Sequence, residues 1–251
     1  NVSGMVRKKA ILKLDNLPEG CYEIKAAVYC DERMARVFKD NFSVMNDYKD
    51  RFADRLTKYG VCGQFDYDET PEGLAKRTNM MKRAGIKTTR ASIAWNKTEV
   101  DAKGYYKWAK ADTDLMWAER ANIDMIACLG YNNTLYAPNI LTGITNEEQR
   151  KATTQYTISY LKRFPNVKEI EIWNEPDMAF WEKDGGNYIV DLSSLQKYEY
   201  NIIKKEFPNV AIAGGTIAKT WKTDLLAGLL KNGTYPYMDA VSLHAYNQPI
   251  P

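Results

Sequence analysis

From about Tyr59 the chain repeats one unit roughly every 30 residues: a short apolar run, a cap or turn signal, then a segment with helical spacing. Gly60 to Phe65 is the first apolar run, and Thr70-Pro71-Glu72 opens a helix with a cap residue, a proline in the first turn and an acid near the positive end of the dipole. That helix runs to Ala84 and ends at Gly85. Lys87 to Trp95 is the second strand, with a helix over Asp112 to Asn122. Ile123 to Tyr131 is the third, with a helix opening at Thr145 and a capping box completed by Glu148. Glu169 to Asp177 (EIEIWNEPD) is the fourth, and its helix starts near Ser193 with a second box at Gln196. Val210 to Gly214 is the fifth, and a helix over Leu225 to Leu230 leads to the sixth, Asp239 to Tyr246. Strands alternating with helices at this spacing make a parallel sheet, either an open doubly wound sheet or a (β/α) barrel.

Two features favour the barrel. The segment after the first strand, Asp66-Tyr-Asp-Glu-Thr70, is acidic where a nucleotide-binding sheet needs glycines that cradle phosphate. Polar and aromatic residues gather instead at the C-terminal ends of the strands, where barrel enzymes hold their chemistry. The expected class is therefore α/β, a (β/α)8 TIM barrel of which six βα units are present, over residues 48–251. Residues 1–47 read differently. Lys9 to Asp15, Cys21 to Tyr29 and Arg36 to Met45 alternate without helices between them, and the turn-like Asn16 to Gly20 joins the first two. Three such strands are too few for a stable domain, so this piece is expected to be a partial β-sandwich-like segment, the alternative being an N-terminal sheet that docks on the barrel.

The period-two phase of the strands points several side chains into one mouth. In EIEIWNEPD, Ile170 and Ile172 share one face and Glu171, Trp173 and Glu175 the other; Pro176 cannot continue a central strand and leaves Asn174 and Glu175 at its tip. Arg90, Ser92 and Ala94 share a face of the second strand, and Ala240, Ser242, His244 and Tyr246 a face of the sixth. Arg90, Glu175, His244 and Tyr246 then converge. A carboxyl at such a mouth can give a proton to a leaving oxygen, which makes Glu175 the candidate acid, and Asn174 beside it can bond a substrate hydroxyl. Arg90 has two readings: a structural pair with Glu171, or a cation that holds a catalytic carboxylate ionised. Trp95, Tyr131, Tyr136, Trp173, Phe180, Trp181 and Tyr246 all fall at strand ends or just after them. Flat rings beside hydrogen-bonding groups suit the C–H faces of sugars, with Trp181 and Tyr246 the strongest candidates.

With 35 basic and 32 acidic residues and no long basic run, the chain offers nothing to nucleic acid. No apolar stretch approaches the roughly 20 residues of a membrane span. The four cysteines have no metal-ligand spacing and there is a single histidine, so no metal site is expected. Cys21 and Cys30 lie too far apart along one straight strand to pair, and Cys62 and Cys128 read as buried free thiols. Asn-X-Ser/Thr acceptors occur at Asn1, Asn41, Asn96, Asn132 and Asn232.

The motifs from Gly60 to Pro251 resemble clan A of the glycoside hydrolases, retaining (β/α)8 enzymes whose fourth strand ends in Asn-Glu. The resemblance rests on Trp173-Asn-Glu-Pro176, on Arg90 with Trp95 and Glu99, on Leu129-Gly-Tyr131, on Phe180-Trp181, and on Asp239-Ala-Val-Ser-Leu-His244-Ala-Tyr246 with Pro249. Within the clan it is most similar to family 39, which includes β-xylosidases, while families 5 and 30 share much of it. What the resemblance implies is double displacement on β-glycosidic bonds with no cofactor: Glu175 the acid/base, Asn174 holding the sugar hydroxyl next to the anomeric carbon, and Arg90, His244 and Tyr246 the shell around the nucleophile. Tyr131 and Trp181 join the substrate-binding set. It also implies a nucleophilic glutamate on a seventh strand, expected beyond Pro251, so the chain reads as a fragment that is inactive alone. The alternative is a barrel that binds glycans or serves as a scaffold without catalysis. A secreted or cell-surface location is expected, although the first residues carry no signal-peptide pattern.

Overall fold

The computed structural model describes residues 11–30, 32–44, 60–63, 70–182, 187–219 and 224–246. They fall into two compact units, one within residues 1–51 and one within 52–251; the expected boundary between residues 47 and 48 lies outside the described residues.

In the first unit, β1 (Gly20–Cys30) and β2 (Arg33–Val44) form an antiparallel hairpin in the register Gly20 with Val44, interrupted by a bulge at Val28/Tyr29. Tyr22 and Phe42 face each other across it with ring centroids 5.3 Å apart. Of the expected strand over Lys9 to Asp15, residues 11–15 are not extended into any sheet. Alternation marks a face that must find a partner, and among the described residues Ile11, Leu12 and Leu14 have none: they are 73%, 69% and 47% exposed. Asn16 instead turns the chain with φ 59°, and Tyr22 donates its hydroxyl to the Pro18 carbonyl at 2.7 Å.

The second unit is a parallel sheet of six strands in chain order, β3 (Gly60–Cys62), β4 (Thr88–Ser92), β5 (Asp124–Leu129), β6 (Glu169–Ile172), β7 (Ala211–Ile217) and β8 (Ala240–Leu243), curled into a half-barrel. Between them run α1 (Pro71–Arg83), the one-turn α2 (Trp95–Thr98), α3 (Ala109–Arg120), α4 (Glu147–Arg163), α5 (Tyr188–Glu206) and α6 (Asp224–Lys231). Each strand is shorter than the apolar run that marks it, except β7. There Gly215 (φ 82°) and Thr216 (φ 33°) form a bulge that carries the strand on to Ile217.

Alternate strand residues bury against the helices. Ala91, Ile93, Met125, Ala127, Leu129, Ile170, Ile172 and Ile212 join Tyr156, Tyr160, Leu192, Leu195 and Ile203 in one core. Trp95, Tyr156 and Trp108 stack within it, at centroid distances of 6.0 and 5.9 Å. The turn Phe164-Pro-Asn-Val167 recurs as Phe207-Pro-Asn-Val210, each closing with a valine N–H on the phenylalanine carbonyl at 3.0 and 3.1 Å, so helices α4 and α5 enter β6 and β7 by the same geometry.

Thr70 caps α1 as expected, accepting from Gly73 N–H at 3.1 Å, and the Gly85 stop has φ 73°. Two caps lie elsewhere than expected. Asn146, one residue later than Thr145, caps α4 by accepting from Gln149 N–H at 2.9 Å, and Gln149 reaches back to Thr145 N–H; Glu148 instead pairs with Lys103 at 2.7 Å. Asn187 caps α5, well before Ser193. Ser193 and Gln196 are both buried and bond the connection ahead of β8, through Thr234 Oγ1 at 2.6 Å and the Tyr237 carbonyl at 2.8 Å. The same Gln196 amide lies against Gly214, where any Cβ would collide with it.

Glu199 is buried on α5, and burial pushes its carboxyl up to about 8, against the opposing bond from Thr153. Because the folded pKa exceeds the ordinary 4.5, the unfolded chain releases this proton first as pH rises, and stability falls between about pH 4.5 and 8. Glu199→Gln is therefore expected to melt like the native chain near pH 4 and above it at pH 8. Thermal unfolding across that window checks this; a difference independent of pH contradicts it.

Candidate active site

The site is built on the end of β6, where the backbone leaves the extended region. Trp173 (φ 67°) and Glu175 (φ 47°) both occupy the left-handed region, so the strict alternation expected for Glu171, Trp173 and Glu175 holds only for Glu171. Glu171 points into the half-barrel. Trp173 turns into packing: its indole N–H donates to the Phe180 carbonyl at 2.9 Å, and its ring meets Trp181 at 4.5 Å and the edge of Tyr131 at 5.8 Å. Glu175 is set at the mouth, its own N–H held by the Thr216 carbonyl of the β7 bulge at 3.0 Å. One residue beyond Pro176, the Asp177 carboxylate accepts the N–H groups of Ala218 (3.1 Å) and Lys219 (2.6 Å), which ties the β6 tip to the end of β7.

Two hydrogen-bonded groups result. In the first, Arg90 on β4 meets Glu171 Oε2 through Nε at 2.5 Å and donates from Nη2 to Asn174 Oδ1 at 2.8 Å and Cys128 Sγ at 3.2 Å. Asn174 in turn donates from Nδ2 to the Tyr131 hydroxyl at 2.9 Å. The Arg90–Glu171 pair of the first reading is present, and the same guanidinium also orients Asn174. Burial works against the Arg90 charge, but Cys128 and Glu171 outweigh it and raise its pKa. Burial pushes the Cys128 thiol up to about 12 and also raises Tyr131. In the second group, Glu175 Oε1 accepts from the Tyr246 hydroxyl at 2.7 Å and contacts His244 Nδ1 at 2.7 Å. That bond to Glu175, ahead of burial, pushes the Tyr246 phenol up to about 12. Glu175 itself is 7% exposed.

These groups border a cavity of about 410 Å³ whose walls include Arg90, Ser92, Tyr131, Asn174, Glu175, Phe180 and Tyr246. Six of the seven sequence candidates thus meet here, with His244 behind Glu175 rather than on the wall. Trp181 is the exception. It is 3% exposed, packed on Trp173 and so closely against Gly143 that no side chain fits there, and its neighbour Phe180 faces the cavity in its place. Trp95 and Trp173 are equally buried, and Trp95 donates its indole N–H to Glu99, whose carboxylate also holds Gly104 N–H and the Tyr136 hydroxyl.

Some wall residues escaped the sequence reading. Asn96 and Lys97 line the cavity from the one-turn α2 after β4, and Ile140 from the loop after β5, where no strand phase applies. Cys62, expected to be buried, is exposed at the tip of β3 and also lines it, while Cys128 is buried. Asn132, expected as a glycosylation acceptor, is fully buried with its amide bonded to the Thr142 carbonyl. Among the described residues no cluster of three or more His, Cys, Asp or Glu could hold a metal ion, and no helix is long and apolar enough to cross a membrane.

The architecture and this wall can be set against known proteins. No protein-family model matches the sequence, and no curated protein does. Solved structures do. A family 39 glycoside hydrolase from the gut symbiont Bacteroides cellulosilyticus WH2 superposes with a TM-score of 0.70 at 23% identity, over 92% of this chain and 46% of the other. The fold is that of these glycoside hydrolases. A monomeric β-xylosidase from Caulobacter crescentus CB15 (TM-score 0.58, 20% identity, 74% and 41% of the two chains) and the catalytic domain of family 30 xylanase C from Talaromyces cellulolyticus (0.58, 18%, 74% and 52%) share it. The chain spans about half the length of these structures or less.

Proposed function

We propose that the protein is a retaining β-glycosidase in which Glu175 is the general acid and base. The observation that carries this is a half-buried cavity whose wall joins a carboxyl, held on one oxygen by His244 and Tyr246, to an asparagine oriented from both ends by Arg90 and Tyr131. A carboxyl fixed this way can protonate a glycosidic oxygen as the C–O bond breaks, and the resulting carboxylate can then take a proton from water. The Asn174 amide, with its rotation fixed, offers its remaining capacity to a sugar hydroxyl. Tyr131, Phe180 and Tyr246 supply ring surface to the sugar. Double displacement needs a second carboxylate to attack the anomeric carbon, about 5 to 5.5 Å from the first. Glu175 is the one carboxylate among the described residues of the wall, and Glu171 is committed to Arg90 and Ser242. The nucleophile in this reading is a second carboxylate that the described residues of the wall do not supply.

The names of the structural neighbours, a β-xylosidase and a xylanase, make β-xylosides the first substrates to try, and a polysaccharide substrate would place the protein in a secreted or cell-surface setting. Proton NMR of the intact protein acting on an aryl β-xyloside is expected to show β-xylose appearing first, before mutarotation. First appearance of the α-anomer contradicts retention. Saturable sugar binding with no turnover favours the second reading, a glycan-binding barrel, which the single carboxylate among the described residues of the wall supports.

A further inference from the structure

Behind Glu175 runs an unbroken file of hydrogen bonds whose protons can be counted. Glu171 is paired with Arg90 at 2.5 Å, so it is ionised and can only accept. Ser242 Oγ lies 2.7 Å from Glu171 Oε1 and has one proton to give, which goes there. His244 Nε2 lies 3.3 Å from the same Oγ; with its proton spent, that oxygen can only accept, so Nε2 carries hydrogen. Nδ1 then faces Glu175 Oε1 at 2.7 Å. Tyr246 already donates its one proton to that oxygen. A nitrogen lone pair and a carboxylate oxygen repel at this distance, so the contact requires a proton between them. Either Glu175 is a carboxylic acid donating to Nδ1, or His244 is an imidazolium donating to a carboxylate.

We propose that Ser242 is a positioning residue that fixes the ring protonation of His244 and thereby commits one proton to the Glu175–His244 pair. The proton belongs to the pair rather than to either residue. That its role is to load the acid before each turnover rests on the glycosidase reading; its placement does not. Without the Ser242 oxygen, the imidazole is free to carry its single hydrogen on Nδ1 and donate it to a Glu175 carboxylate, a state that needs no additional proton. The acid form then empties at lower pH. The charged and titratable groups around the pair are Arg90 on β4, Glu171 on β6, Cys128 and Tyr131 from β5, Cys62 on β3, and Tyr246 on its own segment, beside the neutral hydroxyl of Ser242. The two ionised ones, Arg90 and Glu171, compensate each other, which leaves the Ser242 contact to decide the tautomer.

His244 is the sequence's one histidine, so long-range nitrogen–proton NMR of its ring, assigned with His244→Gln, reads the tautomer directly. From pH 5 to 8 the native protein and Ser242→Thr, which keeps the hydroxyl, are expected to show hydrogen on Nε2. Ser242→Ala is expected to gain the neutral Nδ1–H form. On a phenyl β-xyloside the alkaline limb of its kcat/KM profile moves down by about one pH unit, with KM at the optimum within about twofold, and Ser242→Thr restores the limb. The neutral Nδ1–H tautomer in the native protein overturns the proposal without recourse to any variant. An unmoved alkaline limb in Ser242→Ala, in a protein that Glu175→Gln inactivates, overturns the catalytic half. A native protein that shows the predicted tautomer but cleaves no glycoside supports the proton placement and defeats the glycosidase reading instead.

Discussion

Replacing Glu175 by glutamine in the intact protein is expected to lower kcat on a phenyl or alkyl β-xyloside about 10²- to 10⁴-fold, the range for loss of a positioned general acid. The same variant should turn over a dinitrophenyl glycoside within about tenfold of the native rate in the bond-breaking step, since that leaving group departs without protonation. The substitution isolates proton donation because glutamine keeps the length of the side chain and a carbonyl oxygen. That oxygen can still accept from Tyr246, as Glu175 Oε1 does at 2.7 Å, and the backbone bond to Thr216 is untouched. KM should change little, because the amide of Asn174 and the rings of Tyr131 and Phe180 remain on the wall. Equal losses on both substrates would show that Glu175 does something other than protonate the leaving oxygen.

Arg90→Ala is expected to cost about 3–5 kcal/mol, the scale for removing one partner of a buried ion pair, read as a lower midpoint in urea unfolding with little change in slope. The Glu171 side chain is only 7% exposed and would keep only neutral partners, the Ser242 hydroxyl and the Cys128 thiol, against its charge. Converting Arg90 and Glu171 together to methionine should recover much of that stability, because the desolvated charge leaves with its partner. Sugar binding should not recover, since Asn174 would lose the donor on its Oδ1. If the single variant unfolds at the native midpoint, the pair is more solvated than its geometry indicates.

The barrel units were legible because a repeat of strand and helix about every 30 residues has few physical solutions, and because the faces of β4, β6 and β8 keep period two as far as Arg90, Glu171 and Ser242. Legibility ended where the backbone left the extended region. Trp173 and Glu175 have positive φ, so a rule that assumes a pleated strand placed Trp173 on the wrong side, although Glu175 still reaches the cavity wall. Trp181 read as a sugar platform because aromatic residues in loops look exposed from sequence; only the bare backbone of Gly143, distant in chain order, makes room for it inside. Ser193 and Gln196 have the spacing of a capping box, but their partners, Thr234 and Tyr237, lie about 40 residues away, which no local pattern encodes. Ser242 was visible in phase with His244; its part in the proton count depends on Glu171 and Arg90 from two other strands.

The central claim is that Glu175 acts on the leaving group and not on the anomeric carbon. Glu175→Ala in the intact protein, given an activated β-xyloside and sodium azide, tests it most directly. With the acid/base gone, azide fills the space where Glu175 and water would act and attacks the glycosyl-enzyme from the face the leaving group left, expelling the enzymic carboxylate. The product predicted is the β-glycosyl azide, formed faster as azide concentration rises. The α-glycosyl azide would make Glu175 the nucleophile and contradict the account.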